Sequence, residues 1–291
     1  MRVDIGGVQL FFDVVGSALE PTDDEMLPKP TLLLLHGGPG FDHSTYRPYF
    51  DRFASTHQVV YFDQRGQGRS DDRRDSTGWD LDTWADDVVA FCDALGIEHP
   101  IVFGNSFGGM VAMRYGARHP DHPRALILSS TQARDQTALS AEFFERRGGP
   151  EARESYLRTF GGRRPSPEDY AEYARVCLPL YNTRPSPFGP KRTWRNERVI
   201  THFLPFEQQM DLRADLAAIL RPTLVIAGAD DPMCPLPGME EIAALIPPEQ
   251  LAGFEVIADC GHGSFRDQPE QTEGILRAFL ARLHADDVAR S

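Results

Sequence analysis

Five short apolar runs, at residues 31–35, 58–62, 100–103, 125–128 and 222–227, set the frame for this chain. Each is continuous instead of alternating, so each asks to be buried on both faces, as strands are in a parallel sheet covered by helices. The stretches between them read as helices. Over residues 81–95, Leu81, Trp84, Val88, Phe91, Cys92 and Leu95 recur at steps of three and four, and Gly96 stands where such a helix would end. Residues 107–118 read as a second helix that stops before His119-Pro120. Strand-helix alternation on this scale predicts an α/β fold with right-handed crossovers.

Around that frame the pattern changes twice. Residues 2–15 alternate about Gly6-Gly7 and predict a leading β-hairpin, followed by a proline-rich loop over residues 21–30. Between about residues 132 and 211 no strand of the core type is found. There the charged segment 142–147 meets Gly148-Gly149-Pro150 and a short helix follows. After Gly161-Gly162-Arg163-Arg164-Pro165 comes a helix through Tyr170 and Tyr173, then a proline-rich loop over residues 179–190. This predicts a core made of residues 1–132 and 212–291, with a mostly helical cap at residues 133–211 lying over the sheet edge.

The third run leads into Gly104-Asn105-Ser106-Phe107-Gly108, which satisfies G-x-S-x-G with a strand before it and a helix after it. That context predicts a nucleophile elbow: a tight turn that lifts the Ser106 hydroxyl above the sheet, with small neighbours that let strand and helix approach. A serine hydroxyl is a poor nucleophile until a base takes its proton, and the base needs an orienting acid. The chain order this arrangement requires is serine, acid, histidine.

Just past the fifth run stands Gly228-Ala229-Asp230-Asp231-Pro232. A last strand over residues 254–257 is followed by Asp259-Cys260-Gly261-His262-Gly263. Both sites lie at the carboxyl ends of strands, the side where parallel sheets hold their ligands. Of the nine histidines, only His262 occupies the place the base requires. His57, His99, His119, His122 and His284 read as solvated or structural, and H-P-D-H at residues 119–122 as a capped helix end. His36 reads as a structural hydrogen-bonding group, and His43 and His202 as packing or surface residues near the pocket. Asp231 is the preferred acid because the proline after it suits a turn leaving the strand, with Asp230 as the alternative and Asp259 as a loop residue. A second donor to a developing oxyanion can come from His36-Gly37-Gly38-Pro39-Gly40, which follows the first run: the N–H of Gly38 together with that of Phe107.

Composition removes other classes of function. The chain has 291 residues, 41% hydrophobic and 25% charged, with 43 acidic against 30 basic residues and a net charge of −13. An acidic surface repels phosphate backbones and offers no polybasic patch to a membrane, so neither nucleic acid nor a lipid surface is expected as a partner. The four cysteines include no CxxC pair, so neither a zinc site nor a disulfide framework is expected, and no other metal or cofactor is. The amino terminus lacks an apolar signal region, and residues 32–35, the densest apolar run, are far too short to cross a bilayer. A soluble cytoplasmic protein acting on a small acyl molecule is the expectation, its oligomeric state open.

Taken together, these motifs resemble the α/β-hydrolase superfamily over nearly the whole chain. "HGGPG" at residues 36–40 with "DQRGQGRS" at residues 63–70 looks like the branch holding proline iminopeptidases and their esterase and lactonase relatives. The resemblance implies an α/β-hydrolase fold with a helical cap that sets substrate choice. It implies Ser106 as nucleophile, Asp231 as acid, His262 as base, and Gly38 with Phe107 as oxyanion donors. The chain departs from the iminopeptidase pattern in three places. Phe107 stands where tryptophan or tyrosine is usual, and Asn105 where a small residue is. In Ile200-Thr201-His202-Phe203, Ile200 replaces a cap glutamate that would hold the substrate ammonium, although Glu197 and Glu207 lie near enough in sequence to substitute.

The leading expectation is therefore a serine hydrolase that cleaves a small carboxylic ester or lactone, by analogy an acyl-homoserine lactone, through an acyl-enzyme. The alternative is a proline iminopeptidase. A non-catalytic binding protein on the same fold is disfavoured because all three triad residues are present. A dehalogenase or epoxide hydrolase is disfavoured because Ser106, not an aspartate, occupies the elbow.

Overall fold

A computed structural model of the chain describes residues 1–71, 76–163, 165–185, 188 and 192–288. The strands are β1 (Arg2–Asp4), β2 (Gln9–Val15), β3 (Leu19–Pro21), β4 (Met26–Pro28), β5 (Thr31–Leu35), β6 (Gln58–Phe62), β7 (Ile101–Asn105), β8 (Ala125–Ser129), β9 (Thr223–Gly228) and β10 (Leu251–Ile257). The helices are α1 (Leu81–Leu95), α2 (Phe107–Arg118), α3 (Thr137–Phe160), α4 (Pro167–Val176), α5 (Glu197–Glu207), α6 (Arg213–Ala217), α7 (Leu236–Leu245), α8 (Ser264–Asp267) and α9 (Pro269–Val288). Eight strands form one sheet in the order β1-β2-β6-β5-β7-β8-β9-β10. The β1–β2 and β2–β6 pairings are antiparallel and all the others parallel. The expected α/β fold with a mostly parallel sheet is what forms. Among the described residues, no helix is long and apolar enough to cross a membrane.

The five apolar runs become β5, β6, β7, β8 and β9, and all but the first residue of β6 are buried. Their side chains alternate between two cores. Leu33, Leu35, Val102 and Leu128 join α1, α2 and α7 on one face, while Leu34, Tyr61, Phe103 and Ile127 join Phe50, Phe53 and α9 on the other. This two-sided burial is why the runs carry no polar alternation. α1 is closed at both ends by its own sequence. The Asp80 side chain accepts from the Thr83 N–H, and Gly96 takes the left-handed conformation with φ 65°.

Three local readings are refined. The Gly6-Gly7 hairpin forms, with both glycines at positive φ. At the start of the stretch read as a loop over residues 21–30, β3, which ends at Pro21, pairs with β4 as a small exposed ribbon. Its turn is held by the Thr22 hydroxyl, which takes the N–H of Glu25 at 3.0 Å, a local bond that alternation does not signal. The break at Gly148-Gly149-Pro150 is a kink inside α3, where Gly149 has φ 74°. In the proline-rich loop read at residues 179–190, positions 186, 187, 189 and 190 lie outside the described residues, as does Arg164 of the preceding turn.

The glycines after β7 fix how closely strand and helix approach. A Cβ added at Gly108 would stand 2.0 Å from the Leu35 carbonyl oxygen, and one at Gly104 would stand 2.3 Å from the Gly108 carbonyl oxygen. By contrast, a Cβ at Gly274, exposed within α9, would meet nothing within 4 Å. Gly108→Ala is expected to destabilise the fold by about 1–3 kcal/mol through backbone displacement, whereas Gly274→Ala gains up to about 1 kcal/mol of helix propensity. Urea unfolding of the two variants, read against the parent, checks both signs.

Candidate active site

In this sheet the chain runs from β5 outward to β6 on one side and then returns to β7 on the other, so the crevice at the carboxyl ends of β5 and β7 is the place a ligand fits. Both loops singled out in the sequence open there. Ser106 links β7 to α2 with φ 56° and ψ −125°, a conformation costing a non-glycine residue about 1–3 kcal/mol. Among the bonds that hold it, the Ser106 N–H donates to the Ser129 carbonyl at 3.0 Å, and the Thr131 hydroxyl and the Gly109 N–H donate to the Ser106 carbonyl at 2.7 and 2.8 Å. Phe107 begins α2, so its N–H is one of the helix-start donors without an intrahelical acceptor. The Phe107 ring is buried edge-on against Trp84 and Phe203, with centroids 4.9 and 5.1 Å away.

The loop after β5 is braced by His36. Its Nε2 accepts the Gln64 N–H at 3.2 Å, which leaves Nδ1–H to donate to the Gly37 carbonyl at 2.7 Å. Burial lowers the His36 pKa and keeps the ring neutral, as this pattern needs. Further along, the Gly40 N–H donates to Gln67 at 2.5 Å, and the Asn196 N–H, just ahead of α5, donates to the Gly40 carbonyl at 2.7 Å.

His262 lies in the turn after β10. Its Nδ1 is 2.9 Å from Asp231 Oδ2 and 3.1 Å from Oδ1, and Asp231 is fully buried. Asp231 Oδ1 also accepts the N–H groups of Met233 and Cys234 at 2.8 and 2.9 Å. A carboxylate only accepts, so Nδ1 carries the proton and Nε2 keeps its lone pair. Asp230 is exposed and engaged through its backbone, accepting from Arg147 at 2.9 Å, and Asp259 is likewise exposed. Of the two adjacent carboxylates, then, the one that meets His262 belongs to Asp231. The Ser106 hydroxyl makes no hydrogen bond among the described residues.

Gly38, Ser106 and His262 line one cavity of about 280 Å³, along with Phe160 of α3, Tyr173 of α4 and Phe203 of α5. Ile200 also lines it, which puts an apolar side chain where the iminopeptidase pattern has a carboxylate. Glu197 does not line it. That residue is exposed and faces a separate open groove together with His202. His43 is buried away from the cavity, its Nδ1 2.7 Å from Asp63.

Glu207 does line the cavity. Its carboxyl is buried and accepts the Gln132 side-chain N–H at 2.8 Å. Burial, helped by the nearby Asp135 charge, raises its pKa from 4.5 to about 7. The metal-type donors of the site are Asp231, Cys234 and His262, with ligand atoms within 4.8 Å of one another. Their chemistry is already committed: Asp231 is filled by N–H donors, and burial pushes the Cys234 thiol pKa up, keeping it protonated.

Sequence reasoning missed what supports His262. Its N–H donates to the Tyr181 carbonyl at 2.7 Å, and the Tyr181 ring stands edge-on to the imidazole at 5.2 Å. Asp267, fully buried, accepts N–H groups from Gly261 at 2.8 Å, Thr183 at 2.9 Å, the Asn182 side chain at 3.2 Å and Arg184 at 3.3 Å. One carboxylate thus ties residues 182–184 to the turn bearing His262. The partners lie more than eighty residues apart, and no local spacing could have signalled them.

Comparison with known proteins bears on the family and the fold. Residues 30–269 match the family described as the alpha/beta hydrolase fold. The chain is 28% identical over 267 residues to the AB hydrolase superfamily protein YisY of Bacillus subtilis, covering 85% of this chain and 90% of that one. It is also 28% identical over 298 residues to a proline iminopeptidase of Lactobacillus delbrueckii subsp. lactis, covering 94% and 95%. Among solved structures it is similar to Est816, an N-acyl homoserine lactone degrading enzyme, with a TM-score of 0.63, 25% identity and coverage of 96% and 100%.

Glu207 gives a pH test of the cavity's dryness. With a folded pKa near 7 against 4.5 unfolded, the unfolded chain ionises first as pH rises, so this group subtracts stability progressively across that window. Wild type is expected to lose up to about 3 kcal/mol relative to Glu207→Gln between pH 5 and pH 8. Urea unfolding at four pH values checks it; a difference that stays flat means the carboxyl is solvated.

Proposed function

The chain belongs to the α/β-hydrolase family, and from that premise we propose that it is a serine hydrolase cleaving a small carboxylic ester or lactone. The observation that carries the reading is the pairing of buried Asp231 with His262, whose imidazole lines one cavity with a serine held on a strained turn. Ser106 Oγ attacks the carbonyl carbon as its proton passes to His262 Nε2. Asp231 keeps the imidazole oriented and stabilises the imidazolium that forms. The N–H groups of Gly38 and Phe107 receive the oxyanion, each such donor being worth about 3–4 kcal/mol. Collapse of the intermediate breaks the bond to the leaving oxygen, which takes the proton from His262. Water, deprotonated by the same histidine, then attacks the acyl-enzyme, releasing the acid and restoring Ser106. Residues 133–211 act as the cap that sets substrate choice, and the likeness to Est816 makes acyl-homoserine lactones a substrate class to try.

A second reading is favoured by one observation, the carboxyl of Glu207 on the cavity wall. As the only cap glutamate lining the cavity among the described residues, it could hold the ammonium of an N-terminal proline in place of the side chain missing at Ile200, making the protein a proline iminopeptidase.

Two measurements test these readings. On a short acyl nitrophenyl ester, Ser106→Ala and Asp231→Asn are each expected to lower kcat/KM by about 10⁴-fold, while Asp230→Asn stays within about threefold of wild type; an active Ser106→Ala variant would sink the mechanism. The second compares kcat/KM for the ester, an acyl-homoserine lactone and proline nitroanilide. Ester or lactone is expected to lead by orders of magnitude. A lead for the anilide, cut at least about tenfold relative to the ester by Glu207→Gln, would establish the second reading instead.

A further inference from the structure

Acidic residues outnumber basic ones by 43 to 30, so arginines in this protein readily find carboxylates. Arg65 pairs with Asp87 at 2.5 Å, Arg114 with Asp215 at 3.1 Å and Arg118 with Asp86 at 2.8 Å. Two arginines that line the cavity break this habit. Arg195, exposed just ahead of α5, has no carboxylate within 4.0 Å among the described residues, and its guanidinium lies over the Phe41 ring at 5.3 Å. Arg266, on α8 and four residues past His262, has only Asp267, at 3.9 Å. That carboxylate is already filled by four N–H donors.

The Arg266 side chain is 33% exposed, with its inner nitrogen turned away from solvent. Its Nε is buried without a hydrogen-bond partner, and burial pulls its pKa down from the ordinary guanidinium value. A guanidinium stays charged in a protein, so this one is a cation with N–H groups to spare in the cavity that Ser106 also lines. The one acid lining the cavity among the described residues, Glu207, is bonded to Gln132 and forms no ion pair with either arginine within 4.0 Å. A half-buried cation whose nearest carboxylate is already filled by other donors is well placed to pair with an arriving anion.

We propose that the cavity takes substrates bearing a carboxylate away from the scissile carbonyl, received by Arg266 with Arg195 at the rim. The planar fork of Arg266 suits two-point binding of a carboxylate. A local cation also offsets the repulsion that a protein of net charge −13 exerts on an anionic substrate. This subsite rests on the serine-hydrolase reading and names its substrate class: an ester or lactone of an acid that carries a second, free carboxylate.

The test compares mono-nitrophenyl adipate with nitrophenyl hexanoate, equal in chain length and differing in the terminal charge. Wild type is expected to favour the adipate ester at least about tenfold in kcat/KM, less so as salt rises. Arg266→Gln is expected to erase that preference, mainly through KM, and Arg266→Lys to restore part of it. Equal losses on both esters, or no preference in wild type, would overturn the subsite while leaving the hydrolase standing. If neither ester is turned over, the hydrolase reading fails by itself, and calorimetric titration decides the subsite without catalysis. Adipate is then expected to bind wild type, with adipamide and the Arg266→Gln variant giving no heat; failure of adipate to bind wild type overturns the proposal.

Discussion

The close approach of β5, β7 and α2 is the constraint on which the rest of the site depends. Gly108 lies so near the Leu35 carbonyl that no side chain fits between them. That contact fixes where α2 starts, and with it the direction of the Phe107 N–H and the pose of Ser106. The strain at Ser106 is held by neighbours that have no freedom of their own: Ser129 in the adjacent strand, Thr131 beyond it, and a ring cluster of Phe107, Trp84 and Phe203. A strained residue persists only where its surroundings over-determine it, and here backbone, hydroxyl and aromatic contacts all point the same way.

A second constraint reaches the site from the other side. Asp267 gathers four N–H donors that belong to two separate stretches of chain. Because it is fully buried, each donor lost would leave charge poorly compensated in a low-dielectric interior. The turn bearing His262 is therefore stiff relative to residues 182–184. Asp231 then has only to orient the ring. The result is an imidazole with one nitrogen committed and the other free, the condition that the proposed mechanism sets for moving a proton to and from Ser106.

Much of this was legible in the sequence. The continuous runs named the buried strands because two-sided burial leaves no place for polar alternation. α1 and α2 were bounded to the residue because Asp80, Gly96 and the strand-turn-helix at Ser106 are local signals. β10 was read only over its last four residues. It is an edge strand with Glu255 and Val256 exposed, so nothing forces its composition to be apolar. The β3–β4 ribbon went unseen for a related reason: all six of its residues are exposed, and a threonine turn instead of an apolar pattern holds it together.

What the sequence by itself determined is the chemistry on offer: a serine at a glycine-flanked turn, a histidine and acids at strand ends, and a glycine loop after the first buried strand. These follow from local backbone geometry and short-range periodicity, which a linear reading can follow. Only the tertiary structure shows that His262 meets Asp231 and not Asp230, because the turn after β9 buries one carboxylate and exposes the other. It alone gathered Asp267 with its distant partners, put Ile200 and Glu207 on one cavity wall, and left Arg266 short of a counterion. Those outcomes depend on residues far apart in the chain meeting in space, and no spacing along the chain encodes that meeting.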